Sequence, residues 1–139
     1  MDGAPVDLLK GLDLFEGVEQ KDLETIARSF KQRRFSAGDV IAEEGHGGIG
    51  FFVIESGTAH ATFHGDDLAT MGPGACFGEV ALIDEGVRSA TITAETDLNA
   101  WGLSAWEFRP IVQTNATIAW NLLQIVVRYL RMAVDKASS

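Results

Sequence analysis

Short apolar runs separated by glycine-rich turns fill the middle of the chain, between Arg33 and Leu103. This spacing is typical of the short strands of an all-β sandwich or barrel. We predict strands over residues 33–35, 40–42, 51–55, 58–63, 68–71, 90–94 and 99–102. The run Phe51–Ile54 is apolar on both faces, so that strand should be buried on both sides. A two-layered roll is the simplest closure.

Helical patterning occupies both ends of the chain, and no glycine follows Gly102. Residues 6–14 and 20–30 predict N-terminal helices, since the second repeats apolar residues at i, i+3, i+4 and i+7. Ser104 and Glu107 form a capping-box pattern, so a helix should begin there and stop near residues 110–114. Residues 117–135 predict one long helix. The predicted fold is α+β: a jelly-roll-like β-roll (a double-stranded β-helix) with N-terminal helices and a long C-terminal helix.

The apolar residues of the long helix fall on two seams, each alternating steps of four and three residues. The first seam contains Ile118, Leu122, Ile125, Tyr129 and Met132, and the second contains Ala119, Leu123, Val126, Leu130 and Ala133. One seam can cover the roll, whereas the other needs a further partner. Because a symmetric copy is the usual partner, we expect a homodimer through residues 117–135.

Composition narrows the range of functions. The chain has 139 residues and a net charge of −9, which suits a single domain and disfavours binding to nucleic acid or an anionic membrane by charge. The basic run 31–34 is interpreted as a solvated face and helix-end charge. A lone Cys76 excludes a disulfide framework, an iron–sulfur cluster and a cysteine-rich zinc site. We find no membrane-length apolar run and no basic leader, so we expect a cytoplasmic protein.

The candidate chemistry lies between Phe77 and Thr91. Arg88 lies at the start of an apolar strand, where a buried guanidinium would need an anion to neutralise it. Its planar guanidinium suits bidentate binding of a phosphate. Gly78 lets the backbone approach a ligand closely, and the N–H groups that open the Glu79–Leu82 turn could also face an anion. The carboxylate of Glu79 would repel a phosphate. Its place in a phosphate site is explained only if the ligand also presents hydroxyl groups, as a ribose does. Together these residues describe a nucleotide site.

This stretch resembles a known motif. Gly78-Glu79-Val80-Ala81-Leu82 followed by Arg88-Ser89-Ala90-Thr91 resembles the phosphate-binding cassette of the cyclic nucleotide-binding domain family. Residues 35–41, 51–57 and 68–77 resemble strands and turns of that family's β-roll. Residues 108–130 resemble the hinge and dimerising helix of its bacterial catabolite activators. The resemblance implies one cyclic nucleotide-binding domain over residues 5–136, with a β-roll at about 33–103 and C-terminal helices at about 104–136.

The resemblance also implies a role for each cassette residue. Glu79 takes the ribose 2′-hydroxyl, Arg88 pairs with the cyclic phosphate, and Ser89 adds a hydroxyl bond to it. Gly78 and the backbone amides of Ala81 and Leu82 complete the pocket. Val80 and Ala90 complete the list of expected ligand-binding residues.

Two departures from the bacterial activators bear on function. Where the activators place a Thr-Ser pair that reads the adenine edge, this sequence has Ala133 and Val134, so base recognition would rest on stacking, backbone groups or lid residues such as Leu130 and Val134. Ser89, instead of the threonine common in cGMP-selective members, favours cAMP over cGMP. The activators continue into a winged helix-turn-helix, whereas this sequence as given carries no DNA-reading module.

We therefore expect a cyclic nucleotide sensor that transmits occupancy through its C-terminal helix, with no catalytic residues, cofactor or metal. The alternative is a ligand-free dimerisation or protein-interaction module of the same fold, which would keep the roll and the helix. A gas sensor of the same superfamily is a third reading, disfavoured because no histidine is an obvious haem ligand. His60 and His64 are too poorly spaced in a strand-and-turn segment to form a helical metal pair.

Overall fold

The structure is a computed structural model that describes residues 3–42, 50–78 and 90–138. The N-terminal part contains helix α1 (Val6–Lys10), a 3-10 turn (Asp13–Phe15) and helix α2 (Gln20–Ser29). The C-terminal part contains helices α3 (Ala105–Thr114) and α4 (Ala116–Ser138). Helices therefore occupy both ends of the chain, as predicted, although the first predicted helix is divided into α1 and the 3-10 turn.

Within the described residues, antiparallel strands occupy the middle of the chain and form two four-stranded sheets. Sheet one has the order β1-β8-β3-β6 and sheet two the order β2-β7-β4-β5. The strands are β1 (Lys31–Phe35), β2 (Val40–Ala42), β3 (Phe51–Ser56), β4 (Ala59–Phe63), β5 (Asp66–Met71), β6 (Cys76–Phe77), β7 (Thr91–Ala94) and β8 (Leu98–Leu103). The predicted α+β fold with a two-layered roll is confirmed.

Strand β3 separates two hydrophobic cores. Phe51 and Val53 belong to the core that sheet one shares with the helices. Phe52 and Ile54 belong to the core between the two sheets. All four side chains are at most 2% exposed, because successive residues of a strand point to opposite faces. The predicted burial of this strand on both sides is confirmed.

Aromatic rings and the first half of α4 fill the helical core. The Phe108 ring of α3 stacks on Phe51 with centroids 5.8 Å apart, and Phe30 meets Phe51 edge-on at 6.2 Å. Ile118, Leu122 and Ile125 of the first seam are buried there. The same seam leaves the core after Ile125, since Tyr129 and Met132 are 48% and 66% exposed.

A capping box begins α3, as the sequence predicts. The Ser104 hydroxyl accepts the Glu107 N–H at 3.2 Å, and the Glu107 carboxylate accepts the Ser104 N–H at 3.2 Å. Residue 115 then separates α3 from α4, because the Asn115 side chain accepts the Ile118 N–H at 3.1 Å. These local hydrogen bonds cap the N-termini of α3 and α4.

Two features of the sheets differ from the sequence prediction. Strand β6 was not predicted, because it is only two residues long and exists through its pairing with β3. Strand β1 begins at Lys31, so the basic run 31–34 lies in a strand and not at a helix end, although its residues are exposed as expected. Among the described residues, no helix combines the length and apolarity needed to cross a membrane.

Candidate functional site

The predicted cassette lies only partly within the described residues. Gly78 and Ala90, its two ends, are described, and both are half-buried. The remaining cassette residues lie outside the described part of the chain: Glu79, Val80, Ala81, Leu82, Arg88 and Ser89. Their predicted roles stay predictions, and the described parts of the site are the strands and turns that flank them.

The first end of the cassette is fixed to sheet one. Phe77 pairs with Phe52 and Cys76 with Val53 in the register of β6 and β3. The Phe77 and Phe52 rings lie 5.4 Å apart in the core between the sheets. Gly78 follows at once with a φ of +100°, a conformation that side-chain-bearing residues rarely adopt. A glycine in the left-handed region therefore stands where the β6–β3 pairing ends and the cassette begins.

The turn before β6 is also tied to β3. The Gly74 N–H donates to the Ile54 carbonyl at 2.8 Å, and the Ile54 N–H donates to the Ala75 carbonyl at 2.9 Å. Both bonds extend the short ladder between β6 and the buried β3 on its N-terminal side. The entry to the cassette is therefore tied to the core strand by backbone hydrogen bonds.

The second end of the cassette enters sheet two. Ala90 precedes β7, whose Thr91 pairs with Thr62 of β4 and whose Ile92 pairs with Ala42 of β2. Ile92 and Ala94 are buried between the sheets. The two described ends of the cassette therefore belong to different sheets, and these sheets share one core.

The predicted lid residues lie on the exposed part of α4. Leu130 and Val134 are 62% and 55% exposed, and Ala133 is exposed as well. Among the described residues that line the cavity near Cys76 and the cavity near Arg34, there is neither an end of the cassette nor one of these lid residues. The predicted approach of the lid to the cassette stays a prediction.

A cavity of about 290 Å³ lies on the helical side of sheet one, between α4 and the entry to β6. Cys76, Ile125 and Tyr129 contribute to its wall. Cys76 is half-buried. At the rim, the Arg128 guanidinium lies 3.2 Å from the Asp13 carboxylate, and both side chains are largely exposed. This surface links α4 to the N-terminal turn close to the start of the cassette.

Asn121 is a second link between α4 and the N-terminal turn, and the sequence analysis missed it. Its side-chain amide donates to the backbone carbonyls of Leu14 and Glu16. Asn121 is 9% exposed and adjoins the buried Leu122 on the helix. The signal in the sequence was an asparagine directly beside an apolar seam of the helix. A polar side chain at such a position is buried only where it finds hydrogen-bond partners.

His60 makes a local contact with the neighbouring strand. His60 Nε2 lies 2.8 Å from a carboxylate oxygen of Asp67 across the β4–β5 pair. The hydrogen bond with Asp67, followed by the charges of Asp67 and Glu95, raises the pKa of His60 above its ordinary value although desolvation opposes the shift. Within the described ranges, no group of three His, Cys, Asp or Glu residues is positioned to hold a metal.

Comparison with known proteins gives one consistent result. A model of the cyclic nucleotide-binding domain matches residues 32–115. The chain is 30% identical over 130 residues to the cyclic AMP receptor protein of Thermus thermophilus, covering 90% of this chain and 60% of that protein. It is 32% identical over 111 residues to a cAMP-dependent protein kinase regulatory subunit of Eremothecium gossypii, covering 75% of this chain and 24% of that protein.

A solved structure agrees with these sequence relatives. The crystal structure of the Thermus thermophilus catabolite activator protein matches with a TM-score of 0.82 and 29% identity, covering 91% of this chain and 62% of that chain. The present chain spans less than two thirds of each of these proteins. The family model covers the roll from β1 through α3, including the cassette. The chain therefore belongs to the cyclic nucleotide-binding domain family, whose members are regulatory ligand-binding domains.

Proposed function

We propose that this chain binds a cyclic nucleotide, cAMP in preference to cGMP, within a domain spanning residues 5–136. Glu79 would accept the ribose 2′-hydroxyl, Arg88 would pair with the cyclic phosphate, and Ser89 would donate its hydroxyl to the same phosphate. Gly78 and the amides of Ala81 and Leu82 would complete the contact. One arginine suffices, because a cyclic phosphate carries a single negative charge.

The observation that carries this proposal is the anchoring of the cassette. Its entry at Gly78 follows the β6–β3 ladder of sheet one, and its exit at Ala90 precedes β7 of sheet two. An anion held between these ends would join two layers that share one core. The names of the two curated relatives favour cAMP as the ligand, and Ser89 supports the same choice.

Occupancy would be transmitted through α4. The first half of this helix is buried through Ile118, Leu122 and Ile125, whereas its second half is exposed. A ligand that contacts the base-facing positions Leu130, Ala133 and Val134 would favour one position of that second half. The domain would thus act as a cytoplasmic regulator that has no catalytic step and needs no cofactor.

The second seam of α4 supports a homodimer. Leu123, Val126 and Leu130 are 57%, 40% and 62% exposed, and together they form an apolar stripe at coiled-coil spacing. A copy of the same helix would cover this stripe, and each nucleotide would then bias the geometry of the pair. We propose this dimer as the unit that responds to ligand.

Calorimetric titration with cAMP and, separately, cGMP tests the proposal. We expect micromolar or tighter binding of cAMP, weaker binding of cGMP, and loss of both in Arg88→Ala. Arg28→Ala is the matched control, because Arg28 is exposed on α2 and should leave affinity unchanged. Hydrogen exchange of α4 with and without cAMP tests transmission, and unchanged protection of α4 in the bound protein would contradict that step.

The exposed α4 stripe also favours one alternative, a dimerisation or interaction module that binds no nucleotide. Ala133 and Val134 also favour this alternative, since neither can hydrogen-bond a base through its side chain. Under this reading, neither nucleotide gives heat, the protein is a folded dimer, and Arg88→Ala leaves self-association intact. The titration and a sedimentation measurement on the same samples separate the two functions.

A further inference from the structure

The outer edge of sheet one carries a concentration of positive charge that the nucleotide site does not use. Among the described strands, β1 pairs only with β8 and is therefore an edge strand. Lys31, Arg33 and Arg34 lie along it, and all three are exposed. The chain as a whole has a net charge of −9, so this edge is opposite in sign to the rest of the molecule.

These cations are not neutralised within the domain. In the part of the chain that the structure describes, none of the three forms an ion pair. The Arg33 guanidinium lies 6.0 Å from the centroid of the Phe35 ring, which steadies it without removing its charge. Gln32, the neutral residue among them, donates instead to Asn99 of β8 at 3.0 Å. The three charges therefore remain available to a partner.

The register of β1 distributes these charges on both faces of the edge. Arg33 lies opposite Ala100, on the face of sheet one that faces the core between the sheets. Arg34 lies opposite Asn99, on the other face of the sheet. An edge strand also directs alternate backbone N–H and C=O groups away from its only neighbour. A polypeptide strand added to this edge would meet backbone partners and a cation on each face.

A cavity of about 330 Å³ adjoins the C-terminal end of β1. Arg34, Ser36, Ser56 and Asn99 provide polar groups in its wall. Asp97 also lines it, but one Asp97 carboxylate oxygen accepts the Ala37 N–H at 3.0 Å. The charged edge thus ends at a polar recess that could receive one side chain of an added strand.

We propose that β1 is a docking edge for an extended acidic segment of another protein, which adds as a strand and places adjacent carboxylates opposite Arg33 and Arg34. A second copy of this edge is a poor occupant, because it would oppose cations to cations. A nucleic acid or an anionic membrane could pair with the cations but offers no strand backbone to this edge. This interface is separate from the cassette and does not depend on nucleotide binding.

An NMR titration of the full chain tests the docking edge directly. The probe is a capped peptide of about ten residues in which pairs of glutamates alternate with valine and threonine. We expect amide shifts concentrated in residues 31–35 and 97–99. In Arg33→Glu/Arg34→Glu the affinity should fall about tenfold or more. The control Lys10→Glu/Lys21→Glu reverses equal charge at exposed positions on α1 and α2 and should stay within about twofold.

Peptide variants keep the test decisive even if the double charge reversal unfolds the protein. Replacing every glutamate of the probe by glutamine should abolish the shifts, and N-methylation of alternate residues should abolish them as well, because it blocks strand pairing. The proposal is wrong if no peptide binds, if the N-methylated peptide binds equally well, or if the shifts lie away from β1. Tighter binding to phosphatidylserine vesicles or to single-stranded DNA than to the peptide would also overturn it.

Discussion

The side-chain amide of Asn121 donates a hydrogen bond of 3.0 Å to the backbone carbonyl of Leu14. The same nitrogen donates to the Glu16 carbonyl at 2.8 Å. One buried side chain of α4 thereby satisfies two carbonyls around the N-terminal 3-10 turn, which has no strand or long helix to do so. The turn and the helix are consequently coupled at a single residue.

Replacing Asn121 by alanine should destabilise the protein by about 1–3 kcal/mol, because two carbonyls lose their donor and one of them is buried. Urea unfolding of Asn121→Ala against the unmodified protein measures this loss. Gln124→Ala is the control, since Gln124 is exposed on the same helix and its substitution should change the free energy of unfolding by less than about 0.5 kcal/mol. If Asn121→Ala and Gln124→Ala had equal free energies of unfolding, the two hydrogen bonds would make no net contribution to stability.

The sequence predicted those parts of the fold that local patterns determine. The apolar run 51–54 predicted a strand buried on both faces, and the Ser104–Glu107 pattern predicted the start of α3, because each depends on neighbouring residues alone. Strand β6 could not be found in this way, since its two residues become a strand only by pairing with β3. The partners of Asn121 were hidden for the same reason, being more than 100 positions away.

The candidate site, like the fold, was predictable from the sequence only in part. The cassette was recognisable because its glycine, carboxylate and arginine follow one another closely in the sequence. Its anchoring in two different sheets depends on tertiary pairing and emerged only from the register of β6 and β7. Which residues of α4 approach the base likewise depends on helix position, and the prediction for Leu130, Ala133 and Val134 stays a prediction.

Self-association should depend on the second seam of α4. Leu123→Glu would place two carboxylates in the proposed dimer interface, one from each copy, and should weaken self-association about a hundredfold or more. Sedimentation equilibrium measures the change. Gln124→Glu adds the same charge one residue away from the seam and should leave the dimer nearly unaffected. A dimer that survives Leu123→Glu would require an interface other than this helix face.

The β4–β5 pair should show a pH dependence that comes from His60. Because Asp67 raises the pKa of His60 in the folded state, protonated His60 stabilises the fold. This stabilisation is fully present below the unfolded pKa of about 6.5 and is lost as the pH rises through the folded pKa. Asp67→Asn should lower the His60 pKa, measured by NMR titration of its ring proton, and should reduce stability at about pH 6 more than at about pH 8.

The neighbouring carboxylate provides the control for this pH prediction. Asp66→Asn removes the same charge from β5, but His60 hydrogen-bonds to Asp67 and not to Asp66. We therefore expect Asp66→Asn to leave the His60 titration almost where it is in the unmodified protein. Equal effects of the two substitutions would mean that general charge, and not the hydrogen bond to Asp67, sets the pKa.

The turn between β3 and β4 should tolerate no side chain at Gly57. Its φ is +90°, and a Cβ built there would lie 2.8 Å from the Leu98 Cα and 3.1 Å from the Thr96 hydroxyl oxygen. Gly57→Ala should therefore cost more than about 2 kcal/mol, combining backbone strain with displacement of the start of β8. Gly65→Ala isolates the strain, because Gly65 has a φ of +83° with no atom within 4 Å of its Cβ position. That control should cost only about 1–2 kcal/mol in urea unfolding, and equal losses would show that the packing against β8 relaxes without cost.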